Sequence, residues 1–236
     1  MQIEVAGADG VVVRGSVFGP PGGAMVLGVH GFTSNAERTW IDTGWVRAVT
    51  ETGRQLALFD LRGHGSSDHP HEPDAYHLTH LASDAIQVLD ELGVERAHWL
   101  GYSLGARLGL EVARTAPGRL ASLSLGGLAS TDPTPERLLA LASSLGADDP
   151  ALTTFAFGVS TDAPPMPDYP VGIPAVVVAG TEDDIASGAA GLAARIGADF
   201  VALPGRTHAN AVTARAFKTA MLGMLDSIQE NAPDVS

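Results

Sequence analysis

His98-Trp99-Leu100-Gly101-Tyr102-Ser103-Leu104-Gly105-Ala106 sets a short apolar run against a serine that has glycine two residues away on either side. The run reads as a buried strand ending near Gly101, and residues 106–116 read as a helix with Gly105 and Gly109 four apart on one face. Glycine at 101 and 105 removes the side chains that would collide where a strand and a helix cross closely. On a strand–turn–helix, G-x-S-x-G is a nucleophile elbow, a sharp turn that exposes the serine hydroxyl. The pattern alone is weak in a chain with 28 glycines; the strand before it and the helix after it supply the specificity.

On both sides of this turn, apolar runs of strand length take turns with stretches of helical period. The runs are 25–29, 56–60, 97–101, 120–125, 173–179 and 200–203, and residues 1–20 alternate around Asp9-Gly10 as a β-hairpin does. This predicts an α/β fold: a mostly parallel open sheet of about eight strands with helices on both faces. The clearest helix covers 78–92, with Leu78, Leu81, Ala82, Ala85, Leu89 and Leu92 on one stripe and Gly93 as its stop. A last helix is expected from Asn210 to about Gln229, carrying Val212, Phe217, Met221, Met224, Leu225 and Ile228. Residues 131–170 break the rhythm: seven of the 15 prolines fall there, around helix-like pieces at 136–145 and 151–157. A connection that long is read as a small cap inserted into a single domain of residues 1–236.

Composition narrows the function. A formal net charge of −13, with 14 basic residues thinly spread, supplies no phosphate-neutralising surface and argues against nucleic-acid partners and anionic membranes. Zero cysteine excludes disulfides, thiolate metal sites and cysteine nucleophiles. The amino-terminal residues lack a basic region followed by an apolar run, and no stretch approaches membrane-spanning length, so a cytoplasmic protein is expected, as a monomer or small homo-oligomer.

His30-Gly31-Phe32 after the third strand, Asp60-Leu61-Arg62-Gly63-His64-Gly65-Ser66-Ser67 after the fourth and Gly101 to Gly105 after the fifth together resemble the signature of the α/β-hydrolase superfamily, in order and spacing. The resemblance covers nearly the whole chain. It implies Ser103 as nucleophile and, in the order Ser, acid, His, a general base near the end. Among eight histidines, His208 follows the last strand, where open α/β sheets gather their chemistry, in a loop similar to the family's histidine loop. For the acid, family spacing favours Asp183 in Gly180-Thr181-Glu182-Asp183-Asp184. Asp184 is the runner-up, or a cap for a helix starting near Ile185, and Asp132 is the choice if the acid follows the preceding strand. The oxyanion-hole donors would be the backbone N–H groups of Phe32 and Leu104, with His30 fixing the loop from beneath.

His64, His69, His71, His77 and His80 cluster in sequence, but their spacings suit a metal poorly, so neither metal nor cofactor is expected and His64 is read as structural. Pocket side chains are sought among Trp40, Tyr102, Phe155, Phe157 and Met166, which predict a mostly apolar site for a small, uncharged acyl or lactone substrate. Ester, thioester or lactone hydrolysis through an acyl-enzyme is the leading function. C–C bond hydrolysis or cofactor-free perhydrolysis by the same groups, and a non-catalytic binding protein on this fold, are the alternatives. Serine at 103 disfavours the haloalkane dehalogenase and epoxide hydrolase branches, whose elbow carries aspartate.

Overall fold

In the computed structural model, which describes residues 1–147 and 151–228, eight strands form one sheet. They are β1 (Gln2–Ala6), β2 (Val12–Phe18), β3 (Met25–Val29), β4 (Gln55–Phe59), β5 (Ala97–Tyr102), β6 (Leu120–Gly126), β7 (Ala175–Gly180) and β8 (Asp199–Leu203), in the order β1-β2-β4-β3-β5-β6-β7-β8. The β1–β2 hairpin and the β2–β4 pair are antiparallel; every other pair is parallel. The predicted α/β class, strand count and mostly parallel order are those observed.

Seven α-helices accompany the sheet among the described residues: α1 (Trp45–Thr50), α2 (Leu78–Glu91), α3 (Leu104–Thr115), α4 (Pro135–Ser144), α5 (Ala151–Thr161), α6 (Ala189–Ile196) and α7 (Arg215–Ser227). Strand alternation sorts them. Leu27, Val29, Ala57, Phe59, Leu123, Leu125 and Val177 point to the face covered by α2, α3 and α6. Val26, Leu56, Leu58, Leu100, Val176 and Val178 point to the opposite face, under Trp45 and Val49 of α1 and the i, i+4, i+8 stripe Phe217, Met221, Leu225 of α7.

The last helix starts later than its apolar pattern predicts. A short 3₁₀ turn holds Ala211–Thr213, Ala214 is extended (φ −66°, ψ 130°), and the helix begins at Arg215; Gln229 lies outside the described residues. Val212 is buried all the same, packed in the apolar cluster with Trp45 and Phe217, and its carbonyl accepts a hydrogen bond from Trp45 Nε1 at 2.9 Å.

The segment between β6 and β7 carries α4 and α5. Its far end is fixed by Asp162, whose Oδ1 accepts from Leu78 N at 2.7 Å and whose Oδ2 accepts from Thr79 N and Oγ1 at 3.3 and 2.8 Å. One carboxylate from the insertion thus caps α2, whose own N-cap residue, His77, contributes no side-chain bond. Its near end is fixed by Asp132 Oδ1, which accepts from Met166 N at 2.7 Å. Among the described residues, no helix is long and apolar enough to cross a membrane.

The elbow is the tightest point of the fold. A Cβ at Gly105 would stand 2.0 Å from Val29 O, and one at Gly101 would stand 2.4 Å from Gly105 O, so the first turn of α3 lies directly against β3 and β5. Gly105→Ala is expected to destabilise the protein by about 3 kcal/mol. Gly118→Ala, where nothing lies within 4 Å of the added methyl, should stay within about 0.5 kcal/mol. Urea unfolding midpoints of the two variants test the contrast; equal midpoints would remove the crossing as a constraint.

Candidate active site

The crossing forces the backbone at Ser103 into φ 54°, ψ −113°, and Ser103 and Thr33 are the two non-glycine residues with positive φ among those described. Such a conformation costs on the order of 1–3 kcal/mol and persists only where neighbours hold it. Here Ser103 N donates to Gly126 O at 2.8 Å and Ser103 O accepts from Arg107 N at 3.1 Å, so β6 and the first turn of α3 fix both sides of the residue.

Two further loops arrive at the same edge. Thr181 N donates to Leu203 O at 3.0 Å, Glu182 N to Arg206 O at 3.0 Å and Gly205 N to Thr181 Oγ1 at 2.9 Å, binding the loop after β7 to the loop after β8. His208 lies between Ser103 and Asp183. Its Nε2 is 3.0 Å from Ser103 Oγ, and its Nδ1 is 2.9 and 3.1 Å from Asp183 Oδ2 and Oδ1. A carboxylate at Nδ1 requires the proton there, which leaves Nε2 to accept from the serine hydroxyl. Tyr102 O–H donates to His208 O at 2.6 Å and holds the histidine's backbone; burial, then the Asp183 charge, push this phenol well above its ordinary range.

Asp183 is buried, and its Oδ1 also accepts from Ile185 N at 3.1 Å and Ala186 N at 2.9 Å. The capping role assigned to Asp184 therefore belongs to Asp183. The helix expected near Ile185 is a turn, with α6 beginning only at Ala189 after Gly188 in left-handed conformation. Asp184 is exposed on the cavity wall, and Asp132 is occupied with Met166 N.

Gly31 packs on the serine: a Cβ there would lie 3.1 Å from Ser103 Cβ. This contact brings Phe32 alongside the elbow, while Leu104 is the first residue of α3, where a backbone N–H has no acceptor within its own helix. Two buried histidines hold the Phe32 loop. Leu61 N donates to His30 Nε2 at 2.9 Å, so His30 Nδ1–H donates to Gly31 O at 2.8 Å. Thr33 N donates to His64 Nε2 at 3.2 Å, so His64 Nδ1–H donates to Arg62 O at 3.2 Å. His64 thereby steadies the strained Thr33. Burial lowers both imidazoles, His64 to about 3 with a further contribution from His30, and both are neutral.

A cavity of about 520 Å³ opens at Ser103 and Leu104, walled by residues 128–133, by α4 through Leu138 and Leu141, and by Asp184 and Ile185. None of the five side chains sought for the pocket, Trp40, Tyr102, Phe155, Phe157 and Met166, lines this cavity. Trp40 is fully buried against Trp45, their rings 5.7 Å apart, on the α1/α7 face. Tyr102 is used under His208. Phe155 stacks on Phe32 at 5.2 Å and meets the His64 edge at 4.7 Å, which clamps α5 to the Phe32 loop. Phe157, on the outer side of α5, is 49% exposed. Met166 packs on the core beyond the cavity. The walls are aliphatic instead, and they carry Arg107, Arg137, Asp132 and Asp184 rather than few charges. Arg107 went unnoticed in the sequence; its place four residues after Ser103, one helical turn on, is the signal that finds it.

A family model described as alpha/beta hydrolase fold matches residues 25–152. Epoxide hydrolase A of Mycobacterium tuberculosis is 35% identical over 98 residues, covering 42% of this chain and 30% of that protein. Rhodomycin D methylesterase DauP of Streptomyces sp. (strain C5) is 35% identical over 135 residues, 56% of this chain and 45% of that protein. In both cases the matched part spans less than half of the relative's length. The crystal structure of the enol-lactonase from Burkholderia xenovorans LB400 superposes with a TM-score of 0.81 at 21% identity, covering 95% of this chain and 100% of that one.

The neutral state of His64 has a consequence for stability. The unfolded chain binds a proton at this residue near the ordinary value of 6.5, the folded protein only at about 3. Between the two the unfolded state carries more protons, so stability is full above about pH 6.5 and falls as pH falls. Urea midpoints should drop between about pH 7 and pH 5, at up to about 1.4 kcal/mol per pH unit for one such group, and the slope should be shallower in His64→Gln. An unchanged slope in that variant would remove His64 as a source.

Proposed function

The chain belongs to the alpha/beta hydrolase fold family, and from that premise we propose that it is a serine hydrolase that cleaves a small carboxylic ester, thioester or lactone through an acyl-enzyme. The observation that carries this reading is the continuous relay Ser103 Oγ, His208 Nε2, His208 Nδ1, Asp183 carboxylate, with links of 3.0 and 2.9 Å.

In this reading Ser103 Oγ attacks the acyl carbon while its proton passes to His208 Nε2. The oxygen that becomes negative lies against the N–H groups of Phe32 and Leu104, each worth ~3 kcal/mol at the transition state. His208 returns the proton to the departing alcohol or thiol, the bond from acyl carbon to leaving group breaks, and an ester on Ser103 remains. Water then attacks that ester with His208 as base, releasing the acid and restoring the serine. Asp183 holds Nδ1–H in place and stabilises the imidazolium, and its two backbone bonds keep the carboxylate from turning away. The segment at 131–170 serves as the cap, with α4 as the wall facing the substrate.

Ester chemistry agrees with the Streptomyces methylesterase among the relatives. An epoxide hydrolase is also among the relatives, but the epoxide hydrolase branch of the superfamily is marked by aspartate at its elbow, and this chain has Ser103 in its own G-x-S-x-G turn. A hydroxyl activated by histidine forms an ester on attack at an acyl carbon, an intermediate that water and the same histidine can resolve.

Purified protein is expected to hydrolyse short p-nitrophenyl esters and to react with a labelled fluorophosphonate at Ser103, located by peptide mass. Ser103→Ala and His208→Ala should each lower kcat/KM by about 10⁴-fold or more, and Asp183→Asn by a comparable factor. Asp184→Asn should cost at least about 100-fold less than Asp183→Asn. Labelling that persists in Ser103→Ala would overturn the assignment.

A further inference from the structure

The cavity beside Ser103 holds a cation that the proposed relay does not use. Arg107 stands one turn along α3 and lines the same cavity as Ser103, yet the residue is only 6% exposed. Its Nη2 donates to Pro164 O, while Nε is buried with no partner, and among the described residues no carboxylate pairs with it. The neighbouring acids Glu111, Asp132 and Asp162 act on it only at a distance and are bonded elsewhere: Glu111 to Arg114 at 2.6 and 3.1 Å, Asp132 to Met166 N, and Asp162 to Leu78 N and Thr79 Oγ1. The chain's other deeply buried arginine behaves differently. Arg62 meets Asp84 through Nε and Nη2 at 2.7 and 2.6 Å and Asp9 through Nη1 at 2.6 Å. A buried charge is tolerated when it is paired. Arg107 lacks that pair, and the space it borders is where a substrate would sit. Arg137 of α4 adds a second cation to the same walls, which also carry Asp132 and Asp184.

We propose that Arg107 anchors a carboxylate on the substrate, so that the ester cleaved at Ser103 is the half-ester of a small dicarboxylic acid; this rests on the serine-hydrolase reading above. With Nε buried and Nη2 held by Pro164 O, the edge of the guanidinium that borders the cavity can give a charge-assisted hydrogen bond to a carboxylate, and aliphatic walls in about 520 Å³ suit the few methylenes between the two ends. Hydrolysis breaks the bond from acyl carbon to alkoxy oxygen. Water supplies the new carboxylate oxygen, one of its protons goes to the alcohol and the other to solvent, giving the free dicarboxylate. The uncharged substrate expected from sequence is replaced by an anionic one.

The test compares p-nitrophenyl hemiglutarate with p-nitrophenyl pentanoate, an uncharged ester of the same chain length. Wild type should favour the hemiester in kcat/KM by about 10-fold or more, as a charge-assisted bond implies. The ratio should fall to about one in Arg107→Met and take an intermediate value in Arg107→Lys. A ratio near one in wild type, or one preserved in Arg107→Met, overturns the anchor while leaving the hydrolase reading intact. Cleavage of neither ester overturns the hydrolase reading, and binding then decides the anchor: glutarate should raise the Tm of wild type and not of Arg107→Met. If Arg107→Met does not fold, competition in wild type decides, with glutarate inhibiting and uncharged glutaramide not. Stronger stabilisation by inorganic phosphate than by glutarate would overturn the carboxylate assignment.

Discussion

The carbonyl of Val29 and the Cα of Gly105 are so close that a single methyl between them would sit 2.0 Å from the oxygen. From this contact the arrangement of the site follows. With α3 pressed onto β3 and β5, the chain must turn within one residue between strand and helix, and that residue is Ser103 with its positive φ. The same closeness brings Gly31 against Ser103, and so fixes where Phe32 lies relative to the serine. A looser crossing would relax the serine, but it would also separate the β3 loop from the elbow. Strain at one residue and registration of two loops are thus one constraint.

Around that point the protein spends its polar side chains on holding loops rather than elements. His30, His64 and Asp60 form one such set. Asp60 accepts from Ala36 N at 2.8 Å through one oxygen and from Ser66 N and Oγ at 2.8 and 2.9 Å through the other. The loop after β3 and the loop after β4 are therefore fastened to each other beneath Phe32, as Asp183 fastens its own turn beneath His208. Backbone at a sheet edge has no ladder to complete, and side chains supply what strands elsewhere supply to themselves.

Much of this was legible in the sequence for identifiable reasons. Strands flanked by parallel neighbours are apolar on both faces, so 25–29, 97–101 and 120–125 stood out as runs, and the glycines at 101 and 105 declare a crossing that nothing larger could make. The order of Ser103, Asp183 and His208 after successive strands could be read because strand ends define one edge of the sheet. The aromatic residues could not be assigned this way. Trp40 and Phe155 are as apolar as any pocket residue, and only packing decides that one goes beneath α7 and the other against Phe32. Arg107 escaped because an arginine on a helix is ordinarily a solvated one; its burial depends on the Pro164 segment passing over it, a contact 57 residues away in sequence. The late start of α7 was hidden for a related reason: Val212 keeps the helical stripe in sequence while serving as an acceptor for Trp45.

The two aspartates that bracket the insertion, Asp132 and Asp162, bear on how such a protein can diversify. Each bonds backbone N–H groups, Asp132 at Met166 and Asp162 at Leu78 and Thr79, and a backbone N–H is present whatever side chain occupies the position. Asp162 thus ties the insertion to the start of α2, while Asp132 closes the insertion's own base from residue 132 to residue 166. Changes in the intervening stretch that spare Phe155 can reshape the cavity wall while this base and the Phe32 loop stay held.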